Sequence, residues 1–225
     1  MGRQARIVFP QIPHHITQRG NYLQDVFFED ADWRQYLTWL SEYAHRYDSE
    51  VWAYCLMANH VHLIVCPHSQ ESLSRTLAAT HTRYSQWINR RIKRGGHLWQ
   101  GRFSSCPLDD DYLIRVTRYI EMNPVRAGLV AKPVDWPWSS ARAHVQGVQD
   151  RLLAGASWPP EDLSSRWSEI LSEPDDPEIL AAIKRHSRTG RPLGSASFIA
   201  TLEQTSGLHL RTHPRGRPKK DHFSI

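Results

Sequence analysis

The sequence predicts an α+β domain, one antiparallel sheet with helices packed on it, followed by a small, mostly helical, basic C-terminal extension. Three observations predict this. Apolar residues recur at three- and four-residue spacing in three long stretches, two apolar runs of strand length adjoin at 51–57 and 61–66, and the composition shifts after about residue 133. The 225 residues suffice for one packed domain plus an appendage, and 40% hydrophobic residues with nine tryptophans and eight tyrosines supply a real core.

The elements follow in order. Residues 13–19, PHHITQR, read as a short strand ending at the turn pair Gly20-Asn21. From 30 to about 47, Trp33, Tyr36, Leu37, Leu40, Tyr43 and Ala44 form one apolar helical face, with Asp30 or Asp32 placed to cap it. VWAYCLM and HVHLIVC, joined tightly through Ala58-Asn59-His60, read as an antiparallel pair. A second helix spans 72 to about 93, with Leu73, Leu77, Tyr84, Trp87 and Ile88 inward and Arg90, Arg91, Lys93 and Arg94 crowding its end. That cationic run suits either a solvated helix terminus or phosphate binding. LWQGRFSSCPL reads as another strand, and 110–130 as a third helix stopped near Asn123-Pro124, because proline disfavours the helical state of the residue before it.

Strand, helix, strand, strand, helix, strand, helix is the split βαβ, ferredoxin-like order, with helices expected on one sheet face. The domain is placed at 1–145, a linker with short helices at 146–177, and a small basic extension at 178–225 with a helical piece at 196–204.

The charge balance, 28 Lys and Arg against 23 Asp and Glu, suits a polyanionic partner without requiring one. Cys55, Cys66 and Cys106 are odd in number, lack CxxC spacing and sit in apolar surroundings, which points to free buried thiols and a reducing cytoplasm. No window approaches the roughly 20 apolar residues that span a bilayer, so a soluble intracellular protein with no membrane partner is expected.

Two features carry chemistry. In a strand, His60 and His62 project from the same side, so their imidazoles are neighbours able to share a metal ion; an ordinary pair of core or surface histidines has the same spacing. Two nitrogens do not complete a site. Tyr119 and Asn123, four apart on a helix, share a face, and there Asn123 offers an amide oxygen as a third ligand beside the Tyr119 phenol; core packing for Tyr119 and a helix cap for Asn123 explain the spacing equally. Tyr112, beside three aspartates at the helix start, falls on nearly the same face and is a rival phenol better read as structural.

Taken together, PHHITQRGN at 13–21, MANHVHLIV at 57–65, LWQGRF at 98–103, YIEMNPVRAGLV at 119–130 and DWPWSS at 135–140 resemble the REP-associated tyrosine transposases, in the single-tyrosine branch of the HUH nucleases. The resemblance covers roughly 5–145; TGRPLGS and RGRPKK resemble the C-terminal extension of one subgroup. It implies the HUH nuclease fold and a metal-dependent endonuclease and strand transferase acting on single-stranded hairpin DNA. Tyr119 would be the nucleophile, leaving a 5′-phosphotyrosine and a free 3′-hydroxyl, and a divalent ion, Mg²⁺ or Mn²⁺, would be held by His60, His62 and Asn123. Arg19, Asn21 and Arg102 are the implied DNA contacts, with Arg126 either a contact or a helix cap. Arg215 and Arg217 lie in a tail that reads as a minor-groove hook or a nonspecific basic segment. The expected location is the cytoplasm, associated with the nucleoid, as monomer or homodimer. The alternative is a regulatory nucleic-acid-binding protein of the same fold that does not cut.

Overall fold

The computed structural model describes residues 7–153 and 158–211. Four strands, β1 (His14–Arg19), β2 (Ser49–Met57), β3 (His60–Pro67) and β4 (Ser104–Pro107), form one sheet in the order β2-β3-β1-β4, with every pairing antiparallel. The expected split βαβ order is therefore present.

Helices α1 (Asp30–Arg46) and α2 (Ser72–Arg91) cover one face. Ile16, Val51, Tyr54, Leu56, Val61, Leu63 and Val65 meet Tyr36, Leu40, Leu73, Leu77, Tyr84 and Ile88 there. The N-cap of α1 is Glu29 rather than Asp30 or Asp32, and Asp32 closes the capping box: its carboxylate accepts the backbone N–H groups of Phe28 (2.7 Å) and Glu29 (3.2 Å). Of the cations late in α2, Arg91 pairs with Glu29 and Asp32 and so ties α2 to α1. At that residue the structural reading of the basic run holds.

Helices cover the other face as well, contrary to the one-sided packing expected. Ala53, Cys55, Met57, Ile64 and Cys106 meet α3 (Asp110–Glu121), α7 (Trp167–Ser172) and α8 (Pro177–Thr189). The physical reason is in the strands. A sheet with one wet face alternates apolar with polar, whereas β3 after His60 is buried at every position and β2 at nearly every one. Trp158, Trp167 and Leu171, from the stretch read as a linker, belong to this second core. Between α3 and α7 lie α4 (Asn123–Arg126), α5 (Ala141–Gln146) and α6 (Glu161–Ser164); α9 (Ala196–Ser206) is the last described helix and packs on Phe9.

The DWPWSS segment closes the exposed edge of β2. Leu56 N–H donates to Trp138 O (2.8 Å), Ser140 N–H to Tyr54 O (2.9 Å), and Trp136 Nε1–H to Leu56 O (3.1 Å), so the edge is already paired at Tyr54 and Leu56. The strand expected over 98–108 shrinks to Ser104–Pro107, because Gly101, at φ +63°, breaks the extended run.

Gly20, at the end of β1, is required by space rather than by φ. A Cβ there would stand 2.1 Å from the Gln24 carbonyl oxygen and 2.9 Å from Val26 Cγ1. Gly20→Ala is expected to cost about 1–3 kcal/mol by forcing the 20–24 backbone aside. Urea unfolding measures this, and a loss under about 0.5 kcal/mol would show that the loop simply relaxes. Cys55, Cys66 and Cys106 are buried and unpaired, and among the described residues no helix is long and apolar enough to cross a membrane.

Candidate active site

Strand register assembles the site. His62 on β3 stands opposite Thr17 of β1 and Cys55 of β2, His60 opposite Arg19, and Thr17 opposite Ser104 of β4. Directly opposed residues share a face, so both histidines point to the side covered by α3 and α8. Helix α3 crosses β2 and β3 there, starting from Asp109, whose carboxylate accepts the Tyr112 N–H at 2.9 Å. Near its end Tyr119 presents its ring edge-on to His62, with centroids 5.7 Å apart and planes at 86°. Asn123 follows at the head of α4. A cleft of about 620 Å³ gathers Arg19, His60, His62, Arg102, Tyr119 and Asn123 among its walls.

Every candidate ligand and the candidate nucleophile thus meet in one cleft. Arg19 and Arg102 stand exposed at it. Asn21 is half-buried in the turn after β1 and bonds through its backbone N–H to Leu98 O (2.8 Å) without lining the cleft. Arg126 lies over the Tyr119 ring (4.6 Å to its centroid), donates to the Tyr119 carbonyl and pairs with Asp175 at 3.6 Å; it braces the tyrosine from behind. Tyr112, partly buried, is absent from the cleft. Arg215 and Arg217 lie outside the described residues.

Three contributors escaped the sequence reading. His15 is fully buried behind His62, its Nε2 2.9 Å from His62 Nδ1 and its Nδ1 3.0 Å from Ser187 Oγ of α8. Lys184 and Arg188, one turn apart on α8, line the cleft opposite the sheet. The signal for His15 was present, since His15, Thr17 and Arg19 alternate onto the histidine face. The signal for α8 was Asp176-Pro177 before an apolar-periodic run and Gly190 after it, a cap at each end.

The electrostatics favour uncharged imidazoles. Burial, aided by Arg19, pulls His60 down to about 4; burial, reinforced by His15, His60, Arg126 and Arg19, holds His62 well below the usual imidazole range; burial alone takes His15 to about 3. Burial raises the Tyr119 phenol, and the charges of Arg126 and Arg19 pull the other way.

The donor set fits a divalent ion. His60 Nδ1 bonds Asn59 Oδ1 at 2.6 Å and His62 Nδ1 bonds His15, so each ring is held from behind and leaves Nε2 for the cleft. Among the described residues no three His, Cys, Asp or Glu side chains converge to hold an ion, so a third ligand drawn from them would be of another type. The Asn123 amide qualifies: its buried Nδ2 has no partner, and oxygen and nitrogen of an amide are interchangeable in assignment.

Comparison with known proteins decides the family. The model of the family described as "Transposase IS200 like" matches residues 9–123, from before β1 to Asn123 itself. The chain belongs to the IS200-like transposases. A curated family relative from Haemophilus influenzae, named "Putative REP-associated tyrosine transposase", is 28% identical over 150 residues, covering 58% of this chain and 85% of that protein. A solved REP-associated tyrosine transposase bound to a REP hairpin superposes with a TM-score of 0.55 at 19% identity, covering 72% of this chain and 96% of the other, and so shares the fold. As a transposase, the chain is an enzyme that cleaves and transfers DNA strands. Helix α8 lies beyond the residues the family model matches.

Proposed function

We propose that the chain cuts single-stranded DNA beside a hairpin stem with Tyr119 as nucleophile, aided by a divalent ion, Mg²⁺ or Mn²⁺, on His60, His62 and Asn123. The observation that carries this is the Tyr119 phenol: it makes no hydrogen bond among the described residues and stands edge-on to His62 in the same cleft as His60 and Asn123. The solved relative was bound to a REP hairpin, which supports a hairpin substrate here.

The phenol oxygen attacks the scissile phosphorus and loses its proton; the P–O3′ bond breaks, and the 3′-oxygen takes up a proton as it leaves. The product is a 5′-phosphotyrosine ester. One phosphodiester replaces another, so a DNA 3′-hydroxyl reverses the step without ATP, and a different 3′-hydroxyl completes strand transfer. The ion, when bound, neutralises charge on the phosphate oxygens. Arg126, held by Asp175, keeps the Tyr119 ring in place and favours the phenolate, while the neutral amide of Asn123 leaves the cleft less negative than a carboxylate would and so admits a phosphate. Arg19, Arg102, Lys184 and Arg188 line the cleft, which supports phosphate contacts by their side chains.

Incubating the full chain with labelled hairpin oligonucleotides of varied single-stranded flanks and Mn²⁺ or Mg²⁺ is expected to give a covalent protein–DNA adduct on denaturing gels. Chelating the metal should abolish it. Cut DNA without adduct would replace the tyrosine with water as nucleophile; tight binding with neither cut nor adduct would make the chain a regulator.

A further inference from the structure

We propose that Ser187 on α8 and His15 on β1 are positioning residues that lock His62 in the tautomer whose Nε2 presents a bare lone pair to the cleft. The proposal rests on the reading of His62 as a metal ligand and adds how that ligand is made ready, and by which part of the chain.

Proton bookkeeping carries it. Ser187 has one hydroxyl proton, and its oxygen lies 2.7 Å from the Ile183 carbonyl one turn back and 3.0 Å from His15 Nδ1. A carbonyl can only accept, so the proton lies toward Ile183 and the serine oxygen accepts from His15 Nδ1–H. His15 is 1% exposed, and its ring nitrogens bond only Ser187 and His62 among the described residues, so it is a neutral imidazole with a single N–H. Its Nε2 is then an acceptor. His62 Nδ1, 2.9 Å away, must donate to it, and His62 Nε2 is left unprotonated.

His60 shows the same logic made locally. The Asn59 amide donates through Nδ2 to Leu23 O at 3.2 Å, which turns Oδ1 toward His60 Nδ1 at 2.6 Å; an amide oxygen only accepts, so His60 carries its proton on Nδ1. For His62 the neighbour is another imidazole, which can donate or accept. Without Ser187 the relay can reverse: His15 donates from Nε2, His62 carries its proton on Nε2, and that proton blocks an ion. Ser187 is well anchored for the task. Ser104 Oγ of β4 donates to the Ser187 carbonyl, Cys106 Sγ reaches Arg191 O at 3.0 Å, and Leu193 N–H donates to Pro107 O at 2.8 Å, so the end of α8 and the turn after it are fixed to the sheet. A helix outside the stretch matched by the family model thus completes the site.

The test measures Mn²⁺ binding to the full chain without DNA, together with the protonation pattern of the His62 ring nitrogens by ¹⁵N NMR in the metal-free protein. Ser187→Ala is expected to weaken Mn²⁺ about 10–100-fold and to spread His62 over both tautomers, while Ser187→Thr, which keeps the hydroxyl, restores both. Equal Mn²⁺ affinity in the Ser187→Ala and unmodified chains overturns the proposal and leaves the metal reading standing. So does a metal-free, unmodified chain whose His62 proton lies on Nε2, an outcome that needs no variant to fold. No Mn²⁺ binding by the unmodified chain, or binding indifferent to His62→Ala, removes the metal reading and the proposal with it.

Discussion

Tyr119→Phe is expected to lower covalent adduct formation by at least about a thousandfold, because no other group in the cleft can form the phosphotyrosine ester. The substitution removes one oxygen and keeps the ring. Phenylalanine still fills the place between the Arg126 guanidinium, 4.6 Å from the ring centroid, and His62, 5.7 Å away, so folding and hairpin binding are expected to stay near those of the unmodified chain. That separation of binding from chemistry gives the experiment its force. Tyr112→Phe, on a residue that does not line the cleft, is expected to leave the adduct intact. Denaturing gels of all three chains with the same labelled oligonucleotide read out the comparison, and adduct surviving in Tyr119→Phe would sink the assignment.

Strand alternation and helical periodicity made much of this site legible before any coordinates. His60 and His62 had to share a face, a relation local to one strand, and Tyr119 and Asn123 were expected a turn apart on one helix, though the chain supplies them from the end of α3 and the head of α4. What periodicity could not supply was which faces meet. The pairing of His60 with Arg19 and of His62 with Thr17 is a matter of register between β3 and β1, set by contacts 41 and 45 residues apart. The same holds for His15, whose alternation with Thr17 and Arg19 was visible but whose partner, Ser187, lies 172 residues away. Helix α8 was missed for a different reason. Its caps are plain in Asp176-Pro177 and Gly190, yet the Pro, Ser and acidic residues before it read as a linker, and only the burial of Trp158 and Trp167 shows that stretch to be core. The two-sided sheet was likewise written in the unbroken apolar runs of β2 and β3.

Glu121, two residues from both Tyr119 and Asn123, is expected to dominate the stability of the second core. Its carboxyl is fully buried and joins three side chains that follow α3 in the chain. Oε1 accepts from Ser140 Oγ and lies 2.6 Å from His144 Nδ1, and Oε2 accepts Trp167 Nε1–H at 2.7 Å. Ser140 in turn bonds the Tyr54 backbone, so the same carboxyl holds the DWPWSS clamp against the β2 edge. Glu121→Ala leaves a buried imidazole N–H and a buried indole N–H without acceptors, leaves the Ser140 hydroxyl only the Tyr54 carbonyl at 3.2 Å, and opens a cavity besides. Removing one member of a buried charged or hydrogen-bonded set costs about 3–5 kcal/mol, a large share of the 5–15 kcal/mol that holds a domain together. Glu121→Gln keeps one acceptor oxygen and the volume, so it is expected to recover part of the loss. Urea unfolding followed by tryptophan fluorescence suits the question, since Trp158 and Trp167 pack edge-to-face at 5.2 Å beside this carboxyl. A Glu121→Ala loss below about 1 kcal/mol, the net worth of a single ordinary hydrogen bond, would show that the three partners find other acceptors and that the clamp is held by packing alone.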